Sequence, residues 1–292
     1  MRKLFTFFLA IFIFPALTHL RAEDRSFRIV SSRDLKGNVK ACTCTTIPIA
    51  GMEGRASFLD SIKIDPSRDI LIETGDYLGP GVPMDKYPAI FESFLGMGYH
   101  FLGVGGLEVK NSSKESWERY IYSPVSSNLS YTQKDTSFKK TDSVFRNGKE
   151  IKFLSVLFPS KMESIGETYT NTMYYTDPKD YFQQISPDQK ADLWIVSLWG
   201  TEKEIESIQY PSQFKNTITI INNESGKKKQ TPKNLKKLGT VIWLGMENGD
   251  EISIIEVNKN FSIERQKLQL LEAEKFSQNE KISGIIKKYN IR

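Results

Sequence analysis

Residues 69–76 read Asp69-Ile70-Leu71-Ile72-Glu73-Thr74-Gly75-Asp76, and residues 98–108 read Gly98-Tyr99-His100-Phe101-Leu102-Gly103-Val104-Gly105-Gly106-Leu107-Glu108. In both, a short apolar run breaks into glycine and then an acid. Apolar runs of this length, bounded by turn residues, predict buried strands. Between them, Tyr87 to Leu95 has its apolar residues at helical spacing. Upstream, Phe27 to Ser31 reads as a strand and Gly51 to Ile62 as a helix. Strands alternating with helices predict an α/β fold with parallel pairing, and functional groups then collect in loops beyond the strands' carboxyl ends.

The chain changes character past its middle. Ser143 to Arg146 and Glu150 to Phe158 flank Asn147-Gly148, which accepts the positive φ angles of a tight hairpin turn. Ala191 to Ser197 and Thr217 to Ile221 read as further buried strands. Gly239 to Gly245 and Glu251 to Val257 read as a second antiparallel pair around Asn248-Gly249, and Ser277 to Tyr289 as a closing amphipathic helix. The lysine-rich stretch Lys227 to Lys237 reads as one long solvated loop.

At the N-terminus, Arg2 and Lys3 precede an apolar run from Leu4 to Leu17, and Leu20-Arg21-Ala22 offers a cleavage site. These features read as an export signal over residues 1–22, with an uncleaved N-terminal anchor as the alternative. The apolar run is short for a span of roughly 30 Å, and no later segment resembles a membrane span. Losing Arg2, Lys3 and Arg21 would reduce the net charge from +5 to +2, too little to argue for nucleic acid. The two cysteines, Cys42 and Cys44, lie two residues apart. Ring strain disfavours a disulfide between them, and two thiolates do not complete a zinc site, so they read as a thiol pair near a surface loop.

Several segments, in order, resemble the catalytic domain of bacterial periplasmic 5′-nucleotidases and related calcineurin-like phosphoesterases. Asp34-Leu35-Lys36-Gly37-Asn38 stands where that family has D-x-H-G-N, and Ala50-Gly51-Met52-Glu53-Gly54-Arg55 resembles its G-G-L-A-R-R. Glu73-Thr74-Gly75-Asp76 matches its G-D signature, and Gly98 to Glu108 resembles G-Y-D-A-V-x-x-G-N-H-E. Ser126-Ser127-Asn128-Leu129 is similar to S-A-N-L, Asp192 to Gly200 to the strand ending S-H-x-G, and Ile221 to Gly226 to G-G-H-S-H. The resemblance implies a four-layer α/β/β/α sandwich of two stacked mixed β-sheets. It implies one domain over 27–290, without the C-terminal nucleotide-specificity domain of longer members.

The resemblance also implies a two-metal centre, whose ions would polarise a phosphoryl oxygen and generate hydroxide. Here Lys36 stands at a histidine position, Gly106 at an asparagine ligand and Leu107 at the neighbouring catalytic histidine. Leu198 replaces the histidine of S-H-x-G, and Glu224 and Gly226 replace the last two. Only Asp34 and Asp76 survive as matched ligands, and an ammonium such as that of Lys36 has no lone pair to donate. The whole chain has two histidines, His19 in the leader and His100. His100 falls at a non-ligand position and is expected to pack at a strand start.

The expectation is therefore an exported, catalytically inactive homologue that binds a partner, with no cofactor. Neither the partner nor the oligomeric state is legible; an anionic ligand and a protein both fit. One alternative is a hydrolase with a metal site rebuilt from Asp34, Asp76, Glu108 and Glu224, holding a single calcium, magnesium or manganese ion. A second is an anion-binding module using Lys227–Lys237. Lys36 is expected to pair with Asp34 or Asp76 in place of the metal, because unpaired buried carboxylates are unfavourable.

Overall fold

A computed structural model describes residues 26–291 apart from 42–49, 80–81, 112, 115–116, 118–121, 133–136, 167–172, 223–232, 236–237, 245–250 and 277. The strands are β1 (Phe27–Ser32), β2 (Ile70–Glu73), β3 (Phe101–Leu102), β4 (Leu129–Ser130), β5 (Asp142–Arg146), β6 (Lys149–Leu157), β7 (Tyr174–Tyr175), β8 (Leu193–Trp199), β9 (Thr217–Asn222), β10 (Lys233–Leu235), β11 (Gly239–Leu244), β12 (Glu251–Val257) and β13 (Ile263–Leu270). The helices are α1 (Gly51–Ser61), α2 (Tyr87–Met97), α3 (Gly106–Lys110), α4 (Pro159–Ile165), α5 (Pro178–Gln184), α6 (Glu202–Glu206) and α7 (Glu280–Lys288).

Two mixed sheets form, ordered β13-β12-β1-β2-β3 and β10-β11-β9-β8-β6-β5, beside a small β4-β7 ribbon. Side-chain alternation with period two stacks them. Phe27, Ile29, Ile70 and Ile72 of one sheet meet Ile151, Phe153, Ile195, Ile218 and Ile220 of the other in one buried cluster. The opposite face of the first sheet, with Val30, Leu71 and Leu102, packs on α1, α2 and α7. The opposite face of the second, with Leu154, Val156, Trp194 and Val196, packs on α5 and α6. The result is the expected α/β/β/α sandwich.

Local chemistry explains several elements. The β5-β6 turn carries Asn147 at φ 51° and Gly148 at φ 72°, as an Asn-Gly hairpin requires. α2 starts beside Pro88 and ends at Gly98, whose φ of 84° is the left-handed C-terminal stop. Inside the first sheet, the fully buried Arg55 of α1 pairs with Glu73 of β2 and donates to Ser32 Oγ at 2.8 Å. This pair ties the first crossover helix to two adjacent strand ends.

Two expectations are corrected. β11 and β12 do not form a hairpin: β11 lies parallel to β9 in the six-stranded sheet, while β12 runs antiparallel to β1 and β13 in the other. β12 is buried on both faces, with Ile252 and Ile254 toward the helices and Ile255 and Val257 between the sheets. Such a strand needs neighbours on both edges, and that demand outweighs a local Asn-Gly signal. The lysine-rich stretch is not all loop, because Lys233–Leu235 pairs antiparallel with β11 as an edge strand.

Candidate functional site

Asp34 follows β1, Asp76 follows β2, Gly106 and Leu107 open α3 after β3, and Lys161 lies in α4 after β6. All stand beyond the carboxyl ends of strands, where loops of an α/β sheet converge. Together with Lys36, Lys110, Ser164 and Ile165 they line a cavity of about 430 Å³. Asp34, Lys36 and Asp76 adopt left-handed backbone, with φ of 59°, 50° and 57°. That conformation is disfavoured for residues with a Cβ, least so for Asp and Asn. Cross-links between the two loops hold it: Asp34 N donates to Gly75 O at 3.0 Å, and Lys36 N to Asp76 O at 2.9 Å.

The Asp76 carboxylate is engaged on both oxygens. Oδ1 accepts from Leu107 N at 2.7 Å, and Oδ2 accepts from Lys161 Nζ at 2.9 Å. The Lys161 side chain is only 8% exposed, and its ammonium lies 4.8 Å from the centroid of the Trp199 ring. Trp199 also faces the Arg33 guanidinium at 5.8 Å and is anchored by Nε1 donating to Thr74 O at 2.9 Å. Arg33 Nε reaches Asp34 Oδ2 at 3.4 Å. Each aspartate thus has a cation within ion-pair distance, Lys161 at Asp76 and Arg33 at Asp34.

Lys36 is half-buried, lines the same cavity and its charge acts on Asp34, while Arg33 and Lys161 form ion pairs with Asp34 and Asp76. Burial pushes the Asp34 carboxyl up to about 7 against the pull of Arg33, with the Asp76 carboxylate adding to the rise.

Gly106 makes room for Lys161. A Cβ on Gly106 would lie 2.7 Å from Lys161 Cε and 3.3 Å from its Nζ. Where the resembling motif carries an asparagine ligand, this chain therefore places an ammonium from another element. Sequence reading missed Lys161 because α4 lies outside every matched motif, and no local pattern links it to Asp76, 85 residues away.

Glu108 is a brace. Oε2 accepts from Gly105 N at 2.8 Å and Asp76 N at 2.6 Å, and Oε1 from Tyr77 N and Leu78 N at 2.8 Å each. Burial, then the Asp76 charge, pushes its pKa up to about 8, while the amide donors favour the charged form. Its oxygens are spent on the backbone, not on the cavity.

Leu198 packs outward with Leu154, Val156, Phe158 and Ile205. Along β8 the alternation turns Trp199 toward Lys161 instead, since a one-residue shift on a strand reverses the face. Asn222, at the end of β9, donates to Ser197 Oγ at 2.8 Å and accepts from Thr74 Oγ1 at 2.8 Å, stitching the two sheets. His100 sits at the start of β3 as expected: Nδ1 accepts from Leu71 N and Nε2 lies 3.1 Å from Pro66 O. Glu224, Gly226, Cys42, Cys44, residues 1–22 and the lysines at 227–229, 236 and 237 lie outside the described residues.

A dinuclear metal centre, the group this architecture implies, does not fit the donors among the described residues. An ammonium occupies the space beside Asp76, and the adjacent positions are a glycine and a leucine. Among the described residues, no three His, Cys, Asp or Glu side chains are grouped to hold a metal ion. Nor is any described helix long and apolar enough to cross a membrane.

In fold, the chain is similar to 5′-nucleotidases and to a calcineurin-like phosphoesterase. It superposes on a 5′-nucleotidase precursor from Thermus thermophilus with a TM-score of 0.69 at 12% identity, covering 91% of this chain and 58% of that one. The Haemophilus influenzae NAD nucleotidase gives a TM-score of 0.66 at 13% identity, with 91% and 60% covered. The calcineurin-like phosphoesterase YfkN from Bacillus subtilis gives 0.63 at 13% identity, with 91% and 97% covered. No family model matches the sequence, and no curated protein matches it. The chain thus spans under two thirds of the length of the first two structures.

Proposed function

We propose that this chain is an exported, non-catalytic binding protein built on a phosphoesterase fold. The observation that carries the reading is the Lys161 ammonium 2.9 Å from Asp76, in the space that Gly106 leaves open. Two-metal hydrolysis needs two cations clamping the attacking and leaving oxygens, and a buried ammonium at that carboxylate opposes a second cation there. The apolar leader supports export. A rebuilt metal site is less well supported, because Glu108 is committed to four backbone amides.

The test is hydrolysis of a nucleoside monophosphate and of an aryl phosphate, with and without manganese, alongside metal analysis of the purified protein. Turnover is expected to equal the protein-free control, with less than about one tenth of an equivalent of transition metal bound. Manganese-stimulated turnover that disappears in Asp76→Ala would overturn the reading.

A further inference from the structure

β5 is an outer strand of the six-stranded sheet and, among the described residues, pairs only with β6. The two-residue turn at Asn147-Gly148 fixes which of its backbone groups face outward. Residues flanking such a turn exchange both backbone hydrogen bonds, and bonded pairs then alternate along an antiparallel ladder. Arg146 stands opposite Lys149, Val144 opposite Ile151 and Asp142 opposite Phe153. These three residues therefore spend their amides on β6, and Ser143 and Phe145 present theirs to the open edge. The hydrogen bonds at the edge agree: Asp142 Oδ1 accepts from Ser143 N at 2.9 Å, and Arg146 Nη1 donates to Phe145 O at 2.7 Å. Flanking side chains thus serve backbone groups that a ladder would otherwise take. The Phe145 side chain is 66% exposed, while Val144 turns inward against the core between the sheets.

We propose that β5 is a self-association edge, along which two copies of this chain pair antiparallel about a twofold axis through Val144 and join their six-stranded sheets. Three features of these five residues suit a second copy. Pairing centred on Val144 sets Ser143 of one copy opposite Phe145 of the other, so that outward donors meet outward acceptors in register. The same register sets Asp142 opposite Arg146, unlike charges on the same face of the sheet, and symmetry does so twice. The exposed Phe145 rings come to lie diagonally across the axis, within reach of each other. On pairing, Ser143 N and Phe145 O exchange side-chain partners for backbone ones, and the carboxylate and guanidinium so released meet across the axis. Asp142 also lies 2.8 Å from Lys139, and Arg146 Nη2 donates to Pro66 O at 2.8 Å; these contacts keep both side chains near the edge. The proposal is independent of the binding-protein reading, because β5 contributes nothing to the cavity.

The test is sedimentation equilibrium of the full chain over a range of concentrations. A monomer–dimer equilibrium with a dissociation constant of about 10–500 µM is expected, as suits a contact made by one short strand. Phe145→Pro removes an outward N–H while leaving the β6 ladder its bonds, and should weaken the dimer by about tenfold or more. Asp142→Lys and Arg146→Glu each set like charges against each other across the axis, and each alone should weaken association by about tenfold or more. Mixed in equal amounts, these two charge variants should associate about as well as the parent, because unlike charges again face each other at both places. Arg146 also holds Pro66 O, so Phe145→Pro and Asp142→Lys test the edge without disturbing that anchor. A monomer at every concentration would overturn the proposal and leave Asp142 and Arg146 as caps that blunt the edge. Association that survives all three substitutions, as pairing through the apolar leader would, overturns it equally, as does a mixture of charge variants that stays monomeric.

Discussion

Asp76 takes an ion-pair partner from a residue far away in sequence, Lys161. Lys36 is expected to neutralise the aspartates, and Lys161 and Arg33 form ion pairs with them. Lys36 sits at φ 50° and its backbone amide is bound to Asp76 O, so its loop position is set by the backbone. Removing one partner of a buried ion pair strands the other charge. Lys161→Met should therefore lower the unfolding free energy by about 2–4 kcal/mol in urea denaturation, the Leu107 amide offsetting part of the loss. Lys36→Met should lower it by less than about 1 kcal/mol, because Lys36 is half-exposed and Arg33 and Lys161 still pair with the aspartates. The reverse order of these two effects would show that Lys36 is the neutralising cation after all.

At the level of elements, the site depends on how strand ends are tied to the helices that follow them. Arg55 of α1 reaches Glu73 of β2 and Ser32 of β1, all fully buried, and the Tyr99 hydroxyl lies 3.1 Å from Ser32 Oγ. Glu73 and Ser32 stand two or three residues before Asp76 and Asp34, so this network sets where the two aspartate loops leave the sheet. Arg55→Met should destabilise the fold by about 3–5 kcal/mol, because it leaves a carboxylate in a dry interior. Arg55→Met combined with Glu73→Leu should lose less than Arg55→Met alone. Chemical denaturation of the two variants decides the matter: additive losses would mean that the pair is not coupled.

For the whole molecule, the buried Asp34 and His100 act in opposite directions on stability against pH. Burial raises Asp34 from 3.8 to about 7, so between those values the folded state binds more protons than the unfolded chain and stability falls as pH rises. Burial, then Arg146, lowers His100 from 6.5 to about 4. Between those values the unfolded chain binds more protons, so the stability it contributes is lost as pH falls. Across pH 4–6.5 the His100 slope opposes that of Asp34, while Glu108, raised from 4.5 to about 8, adds to the fall. Asp34→Asn should remove the falling component, so the variant gains on the parent as pH rises from 4 to 7. His100→Asn should remove the rising component, and the difference between variant and parent should have the opposite slope. Denaturation midpoints measured at several pH values test both; parallel curves for parent and variants would refute the assignment.

What the sequence determined by itself is whatever depends on near neighbours along the chain. The buried strands and their helices were legible because period two and period 3.6 are local patterns, and the β5-β6 hairpin because Asn147 and Gly148 alone accept its turn. The order of glycine-and-acid motifs was enough to expect the stacked-sheet fold and to place Asp34 and Asp76 at its loops. Tertiary structure decided everything that depends on which strand lies beside which. It took β11 and β12 into different sheets, since each needed two edge partners that a hairpin cannot supply. It supplied β13, whose sequence Ile263–Leu270 is mostly polar and becomes a strand by pairing with β12. It turned Trp199 rather than Leu198 toward the site, because a single residue of register selects the face of a strand. And it brought Lys161 to Asp76, because a buried charge takes as its partner whatever cation the fold can deliver within reach, wherever that cation stands in the chain.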